Sequence, residues 1–198
     1  MKKFSHIIIM PLIIFGAQTS SAAVLTFEDV PEGSLQDKFG NMLTYKGFDF
    51  SRTPTLDWID VTGPNWNYGA RSGDFALVNN EGGTGEINAV SNTYFTFDGL
   101  WAKKWGTSPD SGGVDSLLGT LSGYNNGVQI WLVNTSLNGS YEFYGPQAGL
   151  IDKLKLGFGN NFLVDDIVLN AVPAPAAIWL FGSGLIALAG AARRKAQA

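Results

Sequence analysis

The chain has no cysteine and a single histidine, His6, which falls in an N-terminal segment set aside below. The remainder therefore has no disulfide, no thiol nucleophile and no imidazole. Ser-His-Asp and Cys-His catalysis and any His/Cys zinc site are excluded. Basic charge is scarce as well. Of the 13 lysines and arginines, Lys2, Lys3, Arg193, Arg194 and Lys195 sit at the two ends. Eight are left in the body against all 17 acidic residues, a net charge of −9. A nucleic-acid binder needs the opposite sign, so divalent cations or neutral polymers are the more natural partners. Between the ends no stretch has sustained helical periodicity. A chain without disulfides has to be stabilised by packing, or by a metal.

Both ends read as targeting segments. Lys2-Lys3 is a positive n-region, Ile7 to Phe15 an apolar h-region, and Ser21-Ala22-Ala23 a small-residue cleavage site. Residues 1–23 are expected to be a secretory signal peptide, cut after Ala23 or, as second choice, after Ala22. At the other end, Val172-Pro173-Ala174-Pro175 precedes an uncharged run from Ala176 to Ala192, then Arg193-Arg194-Lys195. As a helix the run spans roughly 25 Å, slightly short of a hydrocarbon core of about 30 Å but within the range of a spanning helix. The prolines bar helix upstream, and the basic cluster belongs on the cytoplasmic side. Ser183, Ala187 and Ala191 place small side chains on one face. That is either a helix-packing face or ordinary membrane-helix composition.

Pro-x-Pro, a short Gly-containing apolar helix and a terminal basic cluster resemble the PEP-CTERM sorting signal of bacterial exported proteins. Ala174 stands where the usual core has Glu, and Trp179-Leu180-Phe181-Gly182-Ser183-Gly184 is similar to the continuation of a Val-Pro-Leu-Pro-Ala variant. The resemblance implies recognition of residues 172–198 by an exosortase-type membrane transpeptidase. The precursor would be anchored in the inner membrane, and the product would reach the cell surface or extracellular matrix.

The body, residues 24–171, reads as strands and turns. Leu25 and Phe27 alternate with Thr26 and Glu28, and Phe48 to Phe50, Phe75 to Val78 and Tyr94 to Phe97 follow between Gly, Pro and Asn clusters. Asp115 to Ser122 and Val128 to Asn134 flank Asn125-Asn126-Gly127, a hairpin signal. Ser140 to Tyr144, Leu150 to Phe158 and Phe162 to Asn170 follow, with a turn at Gly159-Asn160-Asn161. The expected fold is all-β, an antiparallel β-sandwich of one domain.

Three features bear on function. In Phe162 to Leu169, strict alternation places Leu163, Asp165, Ile167 and Leu169 on one face and Phe162, Val164, Asp166 and Val168 on the other. At least one carboxylate then lies in an apolar row, which calls for a cation or strong donors. A last strand with Asp-Asp-Ile/Val resembles the closing strand of jelly-roll carbohydrate-binding modules. The resemblance implies a structural Ca²⁺ held by Glu28 with Asp165 or, preferably, Asp166. The alternative is an Asp hydrogen-bonded to backbone at a bulge. Second, Trp58, Trp66, Tyr68, Trp101 and Trp105 lie in Gly-, Pro- and Asn-rich contexts, where flat rings either stack on sugars or cap the core. Trp131, inside a strand, reads as core. Third, the carboxylates could supply a glycosidase pair, but no spacing identifies one. The leading reading is a non-enzymatic, exosortase-processed surface or matrix protein engaged in glycan binding or adhesion, with exopolysaccharide as partner. A carboxylate-dependent glycan-active enzyme and a ligand-free structural protein are the alternatives.

Overall fold

The computed structural model describes residues 22–172 apart from 31–38, 54–55, 65, 80, 91–92, 108–115 and 160. Residues 1–21 of the expected signal peptide, the membrane-spanning run and Pro173-Ala174-Pro175 lie outside the described residues, whereas the last two residues of that peptide, Ala22 and Ala23, are described. Among the described residues there are strands and no helix.

Every strand pairing is antiparallel. In chain order the strands are β1 (Ala22–Leu25), β2 (Phe39–Asn41), β3 (Thr44–Tyr45), β4 (Phe48–Asp49), β5 (Asp57–Asp60), β6 (Phe75–Asn79) and β7 (Gly85–Ala89). Then come β8 (Tyr94–Lys104), β9 (Leu117–Asn125), β10 (Val128–Leu137), β11 (Glu142–Tyr144), β12 (Gln147–Ile151), β13 (Lys153–Gly157) and β14 (Phe162–Val172). One sheet runs β11-β8-β14-β6-β5-β2, with β1 also on β14 and β12 also on β8; the other runs β10-β9-β13-β7-β4-β3.

The two sheets face each other across one apolar core. Leu25, Leu77, Phe95, Phe97, Phe162 and Val164 come from the first, Phe48, Ile87, Leu121, Leu154 and Leu156 from the second, and Phe27, just after β1, joins them. Leu154 and Leu156 point inward while Lys153 and Lys155 stay part-exposed, the period-2 pattern of a half-buried strand. Full burial of such side chains contributes about 1.5–3 kcal/mol each, which is how the fold is held without disulfides. A second apolar cluster lies on the outer face of the first sheet. There Ile59, Ala76, Val78 and Leu163 are covered by Trp66, Tyr68 and Ala70, with Trp105 and Tyr141 beside them. Residues 66–74 thus lie across that face as a strap.

Several local expectations hold, and others shift for identifiable reasons. The β9–β10 hairpin turns on Asn126 (φ 49°) and Gly127 (φ 79°), the paired positive φ angles of a type I′ turn. Leu25 and Phe27 are buried and Glu28 exposed, as the alternation requires, but β1 ends at Leu25 because Phe27 adopts φ 63°. Leu150 to Phe158 is not one strand. The chain turns a corner at Asp152, pairing with β8 before it and with β7 and β9 after it. The backbone of Asp152 is bonded on both sides, its N–H to the Tyr124 carbonyl and its carbonyl to the Ala89 N–H.

The strict alternation along β14 is corrected. Phe162, Val164, Ile167 and Leu169 all enter the inter-sheet core, whereas Leu163 lies in the outer cluster. The inward set changes parity because the register shifts between Asp165 and Val168, where Asp166 takes φ 48°. One extra residue in a strand moves every later side chain to the other face. The bulge stands where β14 changes neighbour, from β6 at residues 162–164 to β1 at residues 167–170.

Candidate functional site: an aromatic shelf on the outer sheet face

Asp165 is fully buried, and among the described residues no lysine or arginine neutralises it. Its Oδ2 accepts the backbone N–H groups of Arg71 (2.8 Å) and Ser72 (3.0 Å), and its Oδ1 accepts that of Asp166 (2.7 Å). Burial raises its pKa to about 7, against the pull of those three donors, and the neighbouring Asp166 carboxylate adds to the rise. Asp166 is half-buried and accepts the Ser72 hydroxyl at 2.6 Å. Glu28, exposed just beyond β1, accepts the N–H groups of Asp74 (3.0 Å) and Phe75 (2.8 Å) through Oε1. All three carboxylates expected as metal ligands therefore grip one short segment, residues 71–75. Among the described residues no group of three or more acidic side chains converges as a metal cage.

What this clamp holds in place is Arg71. The guanidinium lies 4.2 Å from the centre of the Trp101 ring, a cation–π contact worth about 0.5–2 kcal/mol. Trp101 is the register partner of Asp165 on β14 and of Phe143 on β11. Antiparallel partners share a face, so the row Phe143–Trp101–Asp165 crosses the outer surface of the first sheet. The Phe143 and Trp101 rings are 5.2 Å apart at 44°, and Phe143 is 51% exposed, so its ring is open to solvent. Ala70, Arg71, Trp101 and Tyr141 line an open depression of about 300 Å³ beside them. Tyr141 is fixed by donating to the Gly69 carbonyl (3.2 Å). Lys103, fully buried beneath the strap, donates to the carbonyls of Tyr68 (2.6 Å) and Thr107 (3.2 Å) and faces the Tyr141 ring.

The aromatic candidates separate by position. Trp58 is 4% exposed inside the inter-sheet core, packed on Phe75, and has no ring face to offer a ligand; its assignment as a sugar-stacking residue is corrected to core. Trp66, Tyr68 and Trp105 are part-buried over the outer cluster, with Tyr68 and Trp105 edge to face at 4.6 Å. Trp101 alone of the five borders the depression. Phe143, Arg71 and Tyr141 were not legible as partners. Their only shared signal is register across β8, β11 and the strap, which sequence spacing does not encode.

Curated proteins offer no match to the chain. Residues 171–195 match the PEP-CTERM protein-sorting motif. The match starts on the last two residues of β14, so the sandwich runs straight into the signal. Residues 171–195 thus carry a PEP-CTERM sorting motif, which implies an exported, membrane-anchored precursor that an exosortase-type enzyme processes for display at the cell surface.

Proposed function

We propose that the displayed domain is a non-enzymatic glycan-binding or adhesion module of the cell surface or exopolysaccharide matrix. The observation that carries this reading is the Trp101–Phe143 ring pair, with Arg71 and Tyr141 joining Trp101 around an open depression. Flat apolar rings flanked by hydrogen-bond donors suit a sugar, which presents an apolar ring face and a rim of hydroxyls. A jelly-roll form of the sandwich, as in carbohydrate-binding modules, belongs to the same proposal. The enzyme alternative needs two carboxylates about 5–9 Å apart across a substrate. The described lining of the shelf depression contains none.

A structural Ca²⁺ is a second reading, favoured by one observation. Glu28 beside the first strand and Asp165 and Asp166 in the last reach the same five-residue segment. An oxygen-only cation joining them would suit calcium. The glycan reading is tested by polysaccharide affinity of the purified protein before and after Trp101→Ala. A matrix protein with no specific ligand would bind none.

A further inference from the structure

Basic side chains are few, and most of those described are matched. Lys46 lies 3.2 Å from Asp29 and Arg52 lies 3.3 Å from Asp49. Lys153 and Lys155 share Glu86, at 3.0 and 3.5 Å. Lys103 is buried on the carbonyls of Tyr68 and Thr107. Arg71 is exposed, and no described carboxylate lies within ion-pair distance of its guanidinium. Asp165 and Asp166, which grip the same segment, accept instead from the backbone of residues 71 and 72 and from the Ser72 hydroxyl. The other residues lining the depression, Ala70, Trp101 and Tyr141, carry no charge.

Arg71 is also held in place. Its backbone N–H donates to Asp165, and its guanidinium rests 4.2 Å from the centre of the Trp101 ring. A long side chain fixed in advance loses less freedom on binding than a loose one. The guanidinium has five N–H donors in a rigid fork, and no described residue accepts from them. A carboxylate matches that fork with two parallel charge-assisted bonds, each about twice as strong as a neutral one. A sugar hydroxyl offers one oxygen and no charge.

Phe143 flanks Trp101 from the β11 side, and Arg71 is anchored at Asp165 on the β14 side. A glycan laid along this row meets an open ring at one sugar and a cation at a neighbouring one. The body's net charge of −9 repels an acidic chain at a distance. That repulsion is largely screened beyond about 8 Å at physiological salt, so the contact at Arg71 decides.

We propose that the shelf selects an acidic glycan, Arg71 pairing with the carboxylate of a uronic-acid residue while a neighbouring sugar lies on Phe143. This ligand class rests on the glycan reading above and departs from the neutral polymer that net charge alone suggested.

The full chain, solubilised in detergent, is titrated calorimetrically with hexamers of galacturonate, glucuronate, mannuronate and guluronate, with the carboxyl-reduced form of each, and with hexaglutamate. At least one uronate hexamer should bind, at least tenfold more tightly than its reduced form and than hexaglutamate. Arg71→Gln keeps the backbone N–H that Asp165 accepts, so its cooperative melt should be retained while the preference for the acid disappears. Arg71→Lys keeps the charge but not the fork. It should lose at least threefold in affinity for the acid, and it carries the test should Arg71→Gln fail to fold. Equal affinity for acidic and reduced hexamers, or a preference unchanged in the variants, overturns the acidic specificity and leaves the glycan reading standing. Equal affinity for hexaglutamate makes Arg71 a general anion site and overturns it as well. No binding of any hexasaccharide, acidic or neutral, defeats the glycan reading and this proposal together.

Discussion

Replacing Asp165 with Asn should remove most of the pH dependence of stability between pH 5 and 8. The carboxyl group titrates near 7 in the folded protein against 3.8 in the unfolded chain. A raised carboxylate pKa means that the folded state holds the proton more tightly. The associated stability is fully present below pH 3.8 and is lost as pH rises through 7. At about 1.36 kcal/mol per pKa unit the full effect is up to about 4 kcal/mol, of which the larger part falls above pH 5. The body has no histidine to titrate in that window, and Asp57 is a second carboxylate whose pKa burial raises, so its contribution is common to both proteins. In the Asp165→Asn variant one oxygen can still accept from Arg71 and Ser72, but the amide NH₂ then faces the Asp166 N–H. The loss of that one bond should cost about 1–3 kcal/mol at pH 5. The assay is urea unfolding of residues 24–172 with chelator present, at pH 5, 6, 7 and 8. The wild type should lose most of this stability between pH 5 and 7 and level off by pH 8, while Asp165→Asn shows a much flatter profile. Parallel slopes for the two proteins would refute the reasoning and move the titration elsewhere.

Three further outcomes are expected. If Glu28 and Asp165 or Asp166 share a calcium ion, the melting midpoint should fall on chelation and recover with calcium but not magnesium. A hundredfold excess over the dissociation constant would correspond to about 2.7 kcal/mol, and an unchanged midpoint leaves the three carboxylates as hydrogen-bond acceptors only. Gly73→Ala should destabilise by about 1–3 kcal/mol, read by urea unfolding. Gly73 has φ +61°, and a Cβ there would come within 2.3 Å of the Glu28 carboxyl carbon, displacing that side chain from the Asp74 and Phe75 N–H groups. Changing both Pro173 and Pro175 to Ala should let helix extend upstream into the sorting motif, so that unprocessed, membrane-bound protein accumulates on immunoblots of host membranes.

The fold class and the sorting signal were legible because each rests on local patterning. Alternating apolar residues, the Asn126-Gly127 turn and the Pro-x-Pro tail need no knowledge of partners. The site was legible only in pieces. Asp165 stood out as a carboxylate in an apolar row, and Trp101 as a ring near flexible chain. Which donors neutralise Asp165 depended on the strap returning across the sheet from more than ninety residues away. The bulge at Asp166 was equally hidden, since a positive φ at an aspartate has no periodic signature, yet it inverted the facing of Ile167 and Leu169. Trp58 misled because its neighbours Pro54 and Pro64 suggested loop, whereas β5 places it between the sheets.

The central claim is that the displayed sandwich binds glycan through the Trp101–Phe143 shelf. Its most direct test is isothermal titration of the purified body with exopolysaccharide from the producing host, for wild type and for the Trp101→Ala, Phe143→Ala double variant. Wild type should bind, and the double variant should lose at least tenfold in affinity with its secondary structure and cooperative melt retained. Equal affinity in the two proteins, or no binding by wild type, would contradict the account.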